Sequence, residues 1–287
     1  MSRPTVLELL RLATGYLREK GVAQPRLDAE VLLGHALQME RIMLYVHHDR
    51  PLEPHEVDVY RTLIARRGRR EPVAYLMGEK EFFGRSFQVD PRVLIPRPET
   101  EHLVEVALAF AIGEGPVRGW DVGTGSGILA VTLAAELPDS HWLATDLSAD
   151  ALAVARANAE RHGVADRIRF LEGDLWAGTK PDGSWDLIVS NPPYLTDHEM
   201  AHLAPEIRYE PRQALAGGPD GLQVIRRLVQ QAWAFLRPGG LLAFEIGAGQ
   251  AEACRQLLAE AGQYEGIRVL PDHAGHPRVV CGLRTSP

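Results

Sequence analysis

Four short stretches carry residue types and spacings suited to chemistry. Asn191-Pro192-Pro193-Tyr194 directly follows the run Trp185-Asp186-Leu187-Ile188-Val189-Ser190. Two prolines cannot extend a strand ladder, so the chain must leave the sheet there with a locked, extended backbone whose carbonyls point outward. Asn191 adds an amide oxygen that accepts hydrogen bonds, and Tyr194 adds a flat apolar face. Such a loop suits a planar –NH2 group: two acceptors take its hydrogens and a ring covers its plane. The second stretch is Asp121-Val122-Gly123-Thr124-Gly125-Ser126-Gly127. Its glycines allow a tight turn and a close approach of backbone to ligand. The spacing is G-x-G-x-G, which is neither the G-x-G-x-x-G of dinucleotide folds nor a P-loop. Asp146 stands about 20 residues beyond this loop, where a carboxylate can accept both hydroxyls of a ribose. It could instead cap the following helix, although Ser148 is the better cap candidate. The last stretch is Gly173-Asp174-Leu175-Trp176. Asp174 could receive the exocyclic amine of adenine. Trp176 could lie against a base or a sulfonium group, or belong to the core.

The elements around these stretches give them a common place. Strand-like runs at 120–122, 141–145, 167–172 and 186–190 alternate with helical patterns at 127–136 and 149–161. A helix over 221–236 follows, and the turn Arg237-Pro238-Gly239-Gly240 feeds a strand at 241–246. A helix over 250–261 and strands at 266–270 and 279–283 close the chain. Alternation of this kind predicts an α/β fold with a mostly parallel sheet covered on both faces, whose ligands bind at the carboxyl ends of the strands. All four stretches stand at such ends.

The first 76 residues read differently. Helical periodicity spans 5–20, 28–37 and 53–67, with a short helix or turn at 41–49 and no strand alternation. This predicts a small helical bundle. Runs at 81–83 and 86–89 around Gly84-Arg85 predict a β-hairpin, followed by a Pro-rich connector and a helix over 99–111. The expected organisation is a helical substrate-recognition domain over 1–78, a connector over 79–98 and a catalytic domain over 99–287. The run Arg66-Arg67-Gly68-Arg69-Arg70 could meet an acidic partner surface, although a solvated helix end is the simpler reading.

Composition narrows the function classes. The chain has 287 residues, a net charge of −7 and two cysteines. That balance argues against a generic nucleic-acid binder, and the cysteine count against a disulfide scaffold or a Cys-based zinc site. His47-His48 lacks the companions of a metal site, so no metal is expected. The N-terminal stretch is an amphipathic helix without the apolar core of a signal peptide, and no apolar run approaches a membrane span. A cytoplasmic monomer with no membrane partner is expected.

These residues resemble the class I S-adenosylmethionine-dependent methyltransferases, in particular the Asn-Pro-Pro-Tyr branch that methylates planar amino groups. Within that branch the chain is similar to the PrmC/HemK family. Val93-Leu94-Ile95-Pro96-Arg97-Pro98-Glu99-Thr100-Glu101 looks like the signature that precedes the family's catalytic domain. Glu71-Pro72-Val73-Ala74-Tyr75-Leu76 with Gly78, Glu210-Pro211-Arg212 with Ala214-Leu215, Gly217-Gly218 with Asp220-Gly221, and Phe244-Glu245-Ile246-Gly247 also match, so the likeness covers nearly the whole chain. The resemblance implies a Rossmann-like seven-stranded sheet and methylation of the side-chain nitrogen (N5) of the Gly-Gly-Gln glutamine in class I peptide chain release factors. It assigns Gly123, Thr124, Gly125, Ser126 and Gly127 to the methionine part of S-adenosylmethionine, and Asp146 to its ribose. Asp174 and Trp176 fall to the cofactor as well, although some members place the aromatic one position earlier, where this chain has Leu175. Asn191 would touch both cofactor and substrate, and Asn191, Pro192, Pro193 and Tyr194 would form the glutamine site. Asn191 and Pro192 would accept the two N–H bonds while Tyr194 packs on the amide plane. Alternatives are a ribosomal-protein glutamine methyltransferase, an adenine-N6 methyltransferase on nucleic acid, which the net charge disfavours, and a cofactor-binding module without catalysis, against which the intact Asn191–Tyr194 loop argues.

Overall fold

The structure, a computed structural model, describes residues 3–113, 115–176 and 178–286. The chain forms two compact units: Met1–Glu79 with Ala204–Tyr209, and Lys80–Leu203 with Glu210–Pro287. Among the described residues no helix is long and apolar enough to cross a membrane.

The first unit is helical, with helices Val6–Glu19, Pro25–Leu37, Met43–Val46, Pro54–Gly68 and Val73–Met77. Thr5 opens the first of them with a capping box. Its hydroxyl accepts from the Glu8 N–H, and the Glu8 carboxylate accepts from the Thr5 N–H, so two otherwise orphaned donors are satisfied. Apolar residues on facing sides, among them Leu10, Leu17, Leu32, Leu33 and Leu44, make one buried core.

Three of the four arginines in the 66–70 run are held by carboxylates of the same unit, while Arg69 stays exposed. Arg66 pairs with Glu71, while Arg67 is buried and donates to Asp28 and Glu206. Arg70 donates to both oxygens of Glu206. The Arg67 and Arg70 bonds fasten the 204–209 segment to the helix end, so these guanidinium groups serve the unit itself. Burial alone would raise the Glu206 carboxyl, but the hydrogen bonds from Arg70 and Arg67 outweigh it and hold it at about 2, against an ordinary 4.5. Its contribution to stability is therefore complete above pH 4.5 and is lost as pH falls toward 2. E206Q should destabilise the protein at pH 7 by about 1–2 kcal/mol after solvent screening, a drop of roughly 2–6 °C in Tm. That gap should close as pH falls through this window. A gap independent of pH would refute the assignment.

The second unit opens with a hairpin of β1 (Glu79–Phe82) and β2 (Arg85–Gln88). Its turn is Phe83-Gly84, one residue earlier than the glycine position alone suggested. Both residues have positive φ, 50° and 69°, as a type I′ turn requires. The carboxylate of Glu101 accepts the Phe83 N–H at 2.8 Å, which ties this unusual phenylalanine backbone to the next helix.

The main sheet contains β3 (Arg118–Val122), β4 (His141–Asp146), β5 (Ile168–Glu172), β6 (Trp185–Ser190), β9 (Leu236–Glu245), β10 (Tyr264–Pro271) and β11 (Pro277–Arg284). A separate two-stranded piece pairs β7 (Leu195–Thr196) with β8 (Ala216–Gly218) in parallel, an element with no alternation long enough to reveal it. The order in the large sheet is β10-β11-β9-β6-β3-β4-β5, and only β11 runs against its neighbours. Successive residues of the inner strands face opposite layers. Leu187 and Val189 join one core and Ile188 the other; Leu241 and Ala243 part from Leu242 and Phe244 in the same way. The first layer holds helices Glu101–Ala111, Ile128–Glu136 and Ala149–Arg161, and the second holds Gln223–Ala232 and Ala251–Ala261. Burial on both faces explains why these strands read as continuous apolar runs.

The helix expected over 221–236 is Gln223–Ala232, and β9 already begins at Leu236. The reason is tertiary. The Tyr264 hydroxyl donates to the Val229 carbonyl at 2.7 Å and accepts from the Trp233 N–H at 3.1 Å, so it sits inside the bond that would have continued the helix. The Arg237–Gly240 stretch is not a turn before the strand but a bulge within it. Pairing steps from Trp185–Leu236 to Leu187–Leu241, which removes Pro238 from the ladder.

Candidate active site

Chain order places the site. From β3 the chain moves outward through β4 to β5, then returns to β6 on the other side of β3. A crevice opens at the carboxyl ends where the direction reverses. It is a cleft of about 170 Å³, bordered by the glycine loop, Asp146, Asp174, Leu175, Asn191, Pro192 and Pro193, with Arg92 and Arg97 from the connector.

The glycine loop divides its work. At Gly123 (φ 78°) and Gly125 (φ 55°) a Cβ would meet nothing within 4 Å, so the backbone lies bare toward open space. At Gly127 (φ 85°) a Cβ would meet Ala155 at 3.1 Å and Val131 at 3.3 Å, so this glycine permits close helix packing. The buried Asp121 carboxylate accepts from the Thr124 hydroxyl at 2.6 Å and from the Ala130 N–H at 3.1 Å, holding both ends of the bend. Burial pushes this carboxyl up to about 7 against those two bonds. Ser126 is buried, and its carbonyl accepts from Asn158 at 2.8 Å.

Asp146 ends β4 and lines the cleft. One oxygen accepts the Gly125 N–H at 2.8 Å and the other the Ser148 N–H at 2.9 Å. Burial raises this carboxyl, while those backbone bonds oppose the shift. It does not cap the next helix: Ser148 does, accepting from the Ala151 N–H at 3.1 Å. Each Asp146 oxygen keeps a further acceptor direction, as a diol would need.

Asp174 also borders the cleft, half-exposed and paired to Arg227 at 2.8 Å. Trp176 does not line it. That indole is buried, stacked on Phe235 at 4.7 Å between centroids and edge-on to Trp120 at 5.0 Å. The assignment of Trp176 to the cofactor is therefore corrected to a core role. Leu175, at φ 52°, takes its place on the cleft wall, because the left-handed backbone there turns residue 175 outward and the next one inward.

From β6, Asn191, Pro192 and Pro193 reach the cleft, whereas Tyr194 is not among the residues that line it. The Tyr194 hydroxyl donates to Glu245 Oε1 at 3.3 Å, and a Cβ at Gly247 would approach the ring to 2.9 Å. Gln250 donates to the Tyr194 carbonyl at 3.0 Å and accepts the Gly247 N–H at 2.9 Å. Asn191 Nδ2 donates to Thr100 Oγ1 at 3.2 Å, and Thr100 Oγ1 donates to Glu245 Oε2 at 2.6 Å. Burial pushes the Glu245 carboxyl upward, opposed by the Thr100 hydroxyl, the Arg278 charge and the Tyr194 hydroxyl. On the connector, Arg97 donates to buried Glu210 at 2.5 Å, and the same carboxylate accepts the Ile95 N–H at 3.1 Å. Thr100, Glu245 and Gln250 were given no role by sequence reasoning. A signal existed for one of them: a glutamate closing the apolar strand Leu241-Leu242-Ala243-Phe244 must find partners once buried.

Bare glycine backbone beside a carboxylate suited to a diol, with an amide-and-proline loop across the same cleft, defines a methyltransferase of class I architecture. Known proteins agree. A family model described as the PrmC N-terminal domain matches residues 8–78, and one described as the methyltransferase small domain matches 112–219. A release factor glutamine methyltransferase from Nitratidesulfovibrio vulgaris is 45% identical over 99% of this chain and 96% of its own length. That of Geobacter sulfurreducens is 46% identical over 97% and 96%. Among solved structures, the hMettl16 catalytic domain aligns with TM-score 0.57 at 18% identity over 83% of this chain and 84% of its own. The ribosomal protein L11 methylase of Lactobacillus delbrueckii subsp. bulgaricus aligns with TM-score 0.50 at 26% identity over 72% and 89%. The chain belongs to the release factor glutamine methyltransferase family. The cofactor of such an enzyme is S-adenosylmethionine, and the open glycine backbone and the Asp146 carboxylate fit its amino-acid and ribose parts.

Proposed function

We infer that this protein methylates the side-chain amide nitrogen of the glutamine in the Gly-Gly-Gln motif of class I peptide chain release factors. The observation that carries the reading is the shared cleft: the bare glycine loop and Asp146 border the same space as Asn191 and Pro192. Family membership names the substrate, since the relatives are called release factor glutamine methyltransferases. We assign the helical unit, Met1–Glu79 with Ala204–Tyr209, to recognition of the protein substrate and the unit of Lys80–Leu203 with Glu210–Pro287 to catalysis, with release factor as the partner and the cytoplasm as the compartment.

An amide nitrogen is a poor nucleophile because its lone pair is delocalised into the carbonyl. S-adenosylmethionine, when bound, supplies a methyl group already activated on a sulfonium. The chain's own task is therefore alignment and charge stabilisation. Asn191 Oδ1 and the Pro192 carbonyl accept the two N–H bonds of the substrate amide and turn its lone pair toward the glycine-loop side. Holding two reactants in line contributes on the order of 7–11 kcal/mol. Acceptors that strengthen as the nitrogen becomes cationic add about 3–4 kcal/mol for a well-placed group, by analogy with oxyanion donors. Asp146 and Gly123–Ser126 would hold the cofactor, with Asp174 and Leu175 on the same cleft wall, while Gly127, assigned to the cofactor by resemblance, serves helix packing instead; Pro193 walls the amide. Tyr194 fixes the loop through Glu245.

The test is transfer of labelled methyl from S-adenosylmethionine to purified release factor. A factor with the Gly-Gly-Gln glutamine changed to alanine, ribosomal proteins, and total RNA and DNA serve as separate arms. Label in the release factor that vanishes with the glutamine is expected. Label in nucleic acid or ribosomal protein, with none in the factor, would overturn the reading.

A further inference from the structure

We propose that Thr100 and Glu245 form a polarised hydrogen-bond relay that fixes which end of the Asn191 carboxamide meets the substrate. The proposal rests on the amide-methylation reading and deepens it. An asparagine side chain has two ends of similar shape and opposite character: Oδ1 accepts and Nδ2 donates. Only Oδ1 can receive an N–H of the substrate. Turned around, Nδ2 would face those hydrogens with its own, which costs both the bond and the alignment. Something must therefore select the rotamer.

The buried pair supplies that selection. Glu245 is 1% exposed and Thr100 is fully buried, so neither can exchange its partners for water. Each oxygen of Glu245 faces a hydroxyl that donates to it: Thr100 at 2.6 Å and Tyr194 at 3.3 Å. Thr100 has a single proton, and it is spent on Glu245. Toward Asn191 its oxygen can only accept. Asn191 must then present Nδ2 to Thr100, as the 3.2 Å bond records, and Oδ1 is left for the cleft. The same side chain holds the Tyr194 hydroxyl, so one buried residue orients two members of the Asn191–Tyr194 loop. Thr100 comes from the start of the helix Glu101–Ala111 and Glu245 from the end of β9, so the selection is made by elements distant in sequence. Thr100 and Glu245 are positioning residues; neither lines the cleft.

The experiment compares T100V and T100S in the full-length protein. T100V keeps the shape and removes the hydroxyl; T100S keeps the hydroxyl and removes a methyl. T100V should slow single-turnover methylation of release factor by roughly tenfold or more while leaving cofactor Kd within about threefold. T100S should recover the rate to within about threefold of wild type. Independently of substrate, the side-chain amide resonances of Asn191 should report one hydrogen-bonded proton in wild type and T100S, and its loss in T100V. A T100V protein with wild-type rate and unchanged Asn191 resonances would overturn the relay, as would a T100S protein as slow as T100V, which would mean packing alone. A wild-type protein that labels no release factor would instead count against the functional reading, while the Asn191 resonances would still decide the relay.

Discussion

Asn191→Ala should lower the single-turnover rate of methyl transfer by at least ~100-fold while cofactor Kd stays within about tenfold. On the proposed mechanism the substitution removes one of two acceptors for the substrate nitrogen. It leaves the Pro192 carbonyl, the glycine loop and Asp146 untouched. An acceptor of this kind strengthens as positive charge develops on nitrogen, so its loss falls on the transition state more than on ground-state binding. The expected pattern is a fall in kcat with a small change in KM for the release factor. The fold should survive, because Asn191 is only partly buried and its side-chain amide is tethered by one long bond to Thr100. A melting curve near wild type beside near-normal turnover would remove Asn191 from the mechanism.

Asp146→Ala should produce the opposite pattern. Two charge-assisted hydrogen bonds to a ribose contribute about 1.5–3 kcal/mol each, so cofactor Kd should rise ~100-fold or more. The substitution also frees the Gly125 N–H, which Asp146 now holds at 2.8 Å, and loosens the bend that carries the bare backbone. At saturating cofactor the rate of the chemical step should return to within about tenfold of wild type, since alignment on the Asn191 side is intact. Calorimetry with single-turnover rates across the two variants should separate the roles, with Asp146 expected to govern occupancy and Asn191 turnover. An unchanged Kd in D146A would mean that the carboxylate serves only Gly125 and Ser148.

Much of this site is legible in the sequence. Glycines at alternate positions, an acidic residue ending the next strand and a proline pair ending a fourth are local features, and the rule that such sheets bind at their carboxyl ends joined them into one cleft. Trp176 marks where that reading stopped. Asp174, Leu175 and Trp176 are consecutive, and which of them faces the cleft follows from the positive φ of Leu175 together with the stacking of Trp176 on Phe235. The arginine run marks another limit. Its composition suggested a solvated helix end or, less simply, a partner surface, but Glu206 lies 136 residues beyond Arg70, and no local pattern announces such a pair.

The chain by itself determined the alternation of strand and helix, the two-faced burial of the sheet and the four strand-end motifs, because each depends on periodicity or on the backbone limits of glycine and proline within a few residues. Tertiary structure alone decided the end of the helix at Ala232, the inward turn of Trp176 and the orientation of Asn191. Each of these is set by hydrogen bonding or packing with a group from a remote segment: Tyr264, Phe235, and Thr100 with Glu245. A buried polar group must find its partner wherever the fold brings one, and that choice is made in space rather than along the chain.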